Sequence, residues 1–100
     1  MINLQKIADE LDFDIDDVEM LVTVFLESAN ETLPLLKNGI DENNYDEIFK
    51  SSHAIKGSAS NILLTDIANV AKEMELAAIE KKVVDYAQMF EKLEKLIKEI

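Results

Sequence analysis

From Val18 to Leu36 apolar side chains recur every three or four residues, at Val18, Leu21, Val22, Phe25, Leu26, Ala29, Leu33 and Leu36. That interval is the repeat of one face of an α-helix, and it returns in every later segment of the chain. Two glycines and one proline in 100 residues leave few of the reversals that a sheet requires. The chain therefore reads as all-α, and its length suits one domain over residues 1–100.

Segment by segment, Ile2 to Leu11 reads as a short N-terminal capping helix, with Asn3 at its start. Asp14 or Asp16 can begin a second helix that carries the long stripe to about Asn38, where Gly39 offers a C-terminal cap. Pro34 lies inside this stripe and removes a backbone donor, which predicts a kink or break near Asn30 to Thr32. Asn44 and Glu47 form a capping box ahead of Ile48, Ser52, Ile55, Ala59 and Ile62. Leu63 and Leu64 fall in a connection, and Thr65 can cap a fourth segment built on Ile67, Val70, Ala71, Met74, Ala77 and Ala78, fading near Lys81 and Lys82. Asp85 and Gln88 open the last helix, whose apolar face is Tyr86, Met89, Phe90, Leu93, Leu96, Ile97 and Ile100. Four long amphipathic helices on short connections predict an antiparallel up-and-down four-helix bundle.

Composition removes several classes of function. Cysteine is absent and His53 is the single histidine, so disulfides, thiolate chemistry and a histidine-cluster metal site are unavailable, and no bound cofactor is expected. No apolar run approaches the roughly 20 residues of a membrane span, and the N-terminus lacks the order of a signal peptide, so a cytoplasmic location is expected. The net charge is −11 and all ten basic residues are lysines, which makes nucleic acid and anionic lipid poor partners. The same charge favours solubility and can steer the chain toward basic surfaces.

Chemistry concentrates on one strip of helix. His53 lies one position off the core stripe, and Lys56 at i+3, Gly57 at i+4 and Ser60 at i+7 share its surface. A mid-helix glycine costs about 1 kcal/mol relative to alanine, so Gly57 suggests that a bare patch beside the imidazole gives access to a partner. A neutral imidazole is a nucleophile at physiological pH, and Lys56 can balance the charge of a transferred phosphoryl group. Attack through Nε2 requires an acceptor for Nδ1–H, for which Glu75 and Glu73 are both candidates. Phe49 and Met20, if exposed nearby, are candidate docking contacts.

The segment His53-Ala54-Ile55-Lys56-Gly57-Ser58-Ala59 resembles the His-x-Leu-Lys-Gly-Ser-Ala signature of histidine phosphotransfer (HPt) domains. Asn61-Ile62, Met74-Glu75 and Phe25-Leu26-Glu27 resemble further family positions, so the likeness runs from Val18 onward. It implies a four-helix bundle presenting His53 as phospho-acceptor to response-regulator receiver domains, or to a hybrid sensor histidine kinase, in a two-component phosphorelay. It also implies Glu75 as the Nδ1 partner and Mg²⁺ on the receiver rather than on this chain. The family often has Gly-Ala where this chain has Leu63-Leu64, so a differently shaped turn is expected there. No glycine-rich ATP loop is present, which points to a carrier without autokinase activity, and a monomer is expected. Such a domain stands alone, as Met1 suggests, or forms part of a larger sensor or chemotaxis kinase. The rival reading is a non-catalytic helical interaction module; a hydrolase lacks any clustered nucleophile and acid pair.

Overall fold

The computed structural model describes residues 2–100 and contains five helices and no strand among them: α1 (Leu4–Leu11), α2 (Ile15–Asp41), α3 (Tyr45–Asn61), α4 (Thr65–Ile79) and α5 (Tyr86–Lys98). Helices α2 to α5 pack in a ring in chain order, α5 closing against α2, and α1 lies on α2. The predicted all-α bundle with a short N-terminal helix is what the chain forms. At 27 residues, α2 spans roughly 40 Å at 1.5 Å per residue, which accounts for the 42 Å long axis.

The predicted stripes supply the core. Val18, Leu36, Ile48, Ala59, Ala71, Met74 and Leu93 are sealed from solvent, and Phe25, Ile55, Ile67, Val70 and Ile97 lie around them. The closest packing joins α3 to α4. There Ser52 and Ala59 meet a helix carrying Ala68, Ala71 and Ala78, and small side chains let the two backbones approach. Ser52 is tolerated inside because its hydroxyl donates to the Ile48 carbonyl at 2.6 Å.

The expected break at Pro34 and two expected helix caps are not formed. Helix α2 runs unbroken through Pro34: the ring faces solvent while Leu33 and Leu36 on either side are buried, so core packing holds the helix and water can serve the Asn30 carbonyl. Gly39 is not a cap, since α2 continues to Asp41 and Gly39 has no positive φ. It is instead a contact point, where an added Cβ would stand 3.1 Å from Cβ and Cγ of Glu47 and 3.2 Å from the Ile48 nitrogen. Thr65 does not cap α4 either: buried Leu64 occupies that position without a side-chain bond, and the Thr65 hydroxyl lies 3.4 Å from the Leu63 carbonyl.

Helices α1 to α4 all end in the same way. The N–H groups of Phe13, Asn44, Leu64 and Lys82 donate to the carbonyls of Ala8, Gly39, Ala59 and Ala77 at 2.8–2.9 Å. The residues just before them, Asp12, Asn43, Leu63 and Lys81, adopt φ of 57°, 54°, 58° and 54°. This is the Schellman ending, normally built on glycine. Leu63-Leu64 thus makes a compact turn in which Leu63 takes the left-handed conformation and Leu64 is buried.

Candidate functional site

His53 sits near the middle of α3, whose start is fixed by the Asn44 side chain accepting from the Glu47 N–H at 3.1 Å. Ile48, Ser52, Ile55 and Ala59 face inward, and a position one residue beyond Ser52 is turned by about 100° toward the rim of the bundle. The His53 side chain is accordingly 60% exposed. Its Nδ1 lies 3.2 Å from Oε1 of Glu75 on α4. A carboxylate can only accept, so in the neutral ring Nδ1 carries the hydrogen and the Nε2 lone pair is directed away from Glu75.

Glu75 is only 8% exposed, an unusual place for a carboxylate. Two partners stand against it: His53 hydrogen-bonds Oε1, and the Lys56 ammonium forms an ion pair with Oε2 at 2.7 Å. Burial pushes the Glu75 carboxyl up, but Lys56 and His53 more than offset this and hold it below the usual carboxylate value of 4.5. The carboxylate is therefore charged over the physiological range. Glu73, the other candidate for the Nδ1 contact, faces solvent, so the hydrogen-bonding geometry selects Glu75.

The structure therefore brings three of the residues singled out by sequence, His53, Lys56 and Glu75, into one contiguous cluster, with Gly57 on the next turn. Lys56 is pinned to Glu75 rather than free, although its side chain retains 29% exposure. At Gly57 an added Cβ would meet nothing within 4 Å, so its surface opens to solvent and no internal neighbour requires a glycine.

Phe49, expected as a candidate docking contact, joins the cluster through the His53 ring itself. Its ring stacks on the His53 imidazole, centroids 5.7 Å apart and planes inclined by 18°. The two residues are four apart on α3, a separation at which helical side chains meet, and that separation was the signal available in the sequence. Met20 is exposed near the start of α2. Since Gly39 marks the level of Ile48, Met20 lies roughly 20 Å along the axis from His53 and does not join this cluster.

Among the described residues no helix is long and apolar enough to cross a membrane. No curated protein and no solved structure matches the chain. The family model of the Hpt domain matches residues 20–100, which takes in almost all of α2 and the whole of α3, α4 and α5. With an exposed histidine on the helix that carries the signature and a helical bundle around it, the chain belongs to the Hpt domain family, the histidine-bearing phosphocarriers of two-component phosphorelays.

Proposed function

We propose that this chain exchanges a phosphoryl group between Nε2 of His53 and the active-site aspartate of response-regulator receiver domains. The observation that carries the reading is the pairing of Nδ1 with buried Glu75 at 3.2 Å, which leaves Nε2 as the nucleophile on the exposed edge of the ring. In the forward step the Nε2 lone pair attacks phosphorus and a P–N bond forms. The P–O bond of the aspartyl phosphate breaks, and its electron pair returns to the aspartate as carboxylate. The ring keeps its Nδ1–H and becomes a phosphorylated imidazolium, whose positive charge faces the Glu75 anion. Return of the group to a second receiver reverses every bond.

Lys56, one turn from His53, can reorient one of its three N–H donors toward the phosphoryl oxygens while remaining beside Glu75. Gly57 gives the receiver backbone room to approach, since in-line transfer needs the reacting atoms about 3 Å apart. Mg²⁺ belongs to the receiver in this reading, the chain acts as a carrier without autokinase activity, and a hybrid sensor kinase is a second class of partner. A cytoplasmic site of action follows from those partners.

Incubation with a phosphorylated receiver domain tests the reading. One phosphoryl mass should appear on the chain as an acid-labile, alkali-stable adduct, and His53→Gln should abolish it. Binding of the receiver without any adduct would leave a plain helical interaction module in place of a carrier.

A further inference from the structure

Resting on the reading of His53 as phospho-acceptor, we propose that Phe49 is a positioning residue for that reaction, its ring clamping the imidazole plane so that Nε2 is presented outward while Nδ1 stays on Glu75. A histidine that is 60% exposed has few packing contacts to fix its two side-chain torsions, and a single hydrogen bond of 3.2 Å leaves rotation about the bond axis free. The Phe49 ring removes that freedom. It lies nearly parallel to the imidazole at 5.7 Å, within the range of favourable offset stacking. Phe49 is itself anchored, being half-buried and packed against the hydrophobic core.

The arrangement bears on the chemistry as well as the geometry. As the P–N bond forms, the ring becomes cationic, and the negative face of a phenyl ring within about 6 Å stabilises a cation. The imidazolium is thus held between the Glu75 carboxylate at its Nδ1 edge and the Phe49 π-face beside it. The Nε2 lone pair lies in the ring plane, so with the plane held by Phe49 a phosphodonor approaches it along the solvent edge. Phe49 touches neither the phosphoryl group nor the partner in this scheme; it acts through His53.

A small phosphodonor separates this role from partner docking. With phosphoramidate, Nε2 attacks phosphorus, the P–N bond of the donor breaks, and ammonia leaves after taking up a proton. The single-turnover rate of His53 phosphorylation is measured for the wild-type chain, Phe49→Leu and Phe49→Tyr, together with the NMR shifts of the His53 ring protons. Phe49→Leu should lower the rate roughly 3- to 10-fold, the scale of a lost cation–π contact plus a loosened reacting group. It should also abolish the upfield ring-current shift at His53, whereas Phe49→Tyr should retain both. Melting curves confirm that each variant is folded. Equal rates and unchanged ring-proton shifts in Phe49→Leu would overturn the positioning role while leaving the phosphocarrier reading intact. A wild-type chain that takes no phosphoryl group from the small donor or from a receiver overturns both.

Discussion

Two glycines sit inside helices of this chain, and their surroundings predict opposite responses to the same substitution. Alanine at Gly57 would meet nothing within 4 Å, so Gly57→Ala should stabilise the fold by about 1 kcal/mol, the helix-propensity difference, and raise Tm by about 4 °C or more. Transfer from a phosphorylated receiver should nevertheless fall, while reaction with a small donor is unchanged; equal transfer would remove the access argument for Gly57. Alanine at Gly39 would crowd Cβ of Glu47 and the backbone nitrogen of Ile48 at 3.1 and 3.2 Å. Those atoms belong to the first turn of α3, tied down by the Asn44 to Gly39 backbone bond at 2.8 Å, so they cannot retreat. Gly39→Ala should therefore cost on the order of 1–2 kcal/mol, as overpacking does, readable as a lower denaturant midpoint. At Glu75 the sign follows from linkage. Its folded-state carboxyl titrates below the ordinary 4.5, so its contribution to stability is complete above that value and is lost as pH falls through the lowered one. Acid unfolding of Glu75→Gln should lack this component. The same variant should slow phosphoryl transfer about 10-fold, because a neutral amide can still accept Nδ1–H but leaves the imidazolium without its counter-charge.

The helix starts and helix ends differ in how much of them can be read in advance. Asn3, Asn44 and Asp85 each accept from the backbone N–H three residues on, at 3.0, 3.1 and 3.0 Å, and such a contact depends on nothing beyond four consecutive residues. Those caps were legible, as were the apolar faces. The ends were not: of the Schellman turns at Asp12, Asn43, Leu63 and Lys81, those at Leu63 and Lys81 use residues with no left-handed preference, because loop closure between packed helices sets the conformation. The same distinction holds at the site. His53, Lys56 and Gly57 lie within five residues of one another and could be grouped by helical spacing, but Glu75 is 22 residues from His53. Spacing alone could not choose it over Glu73, and only the resemblance favoured it before the α3–α4 packing settled the geometry. Phe49 lay within helical reach of His53, yet its stacking depends on rotamers that a sequence does not display. The left-handed ends carry their own test. Lys81 is exposed at φ 54°, so Lys81→Gly should relieve about 1 kcal/mol of backbone strain, partly offset by the greater freedom of the unfolded glycine chain. A Tm raised by a few degrees is expected, and a lowered Tm would show that the Lys81 side chain contributes more than its backbone costs.

At the scale of the whole molecule, charge sets the response to solution conditions. Twenty-one acidic residues face ten lysines, for a net charge of −11. Among the described residues only Lys56, Lys82 and Lys98 stand within ion-pair distance of a carboxylate. The Lys82–Glu80 and Lys98–Glu94 pairs are largely solvent-exposed, where a pair contributes little, so attraction does not balance the long-range repulsion of a compact anion. Raising NaCl from about 0.05 to about 0.5 M shortens the screening length from roughly 14 to roughly 4 Å. It should therefore raise Tm by several degrees; a flat or falling Tm would mean that the ion pairs outweigh the repulsion. The gain should survive almost unchanged in Glu75→Gln, which alters the net charge only from −11 to −10. The Glu75–Lys56–His53 cluster is local and centred on a buried carboxylate, whereas the repulsion is spread over the whole surface, so the two contributions to stability can be separated by salt and by substitution.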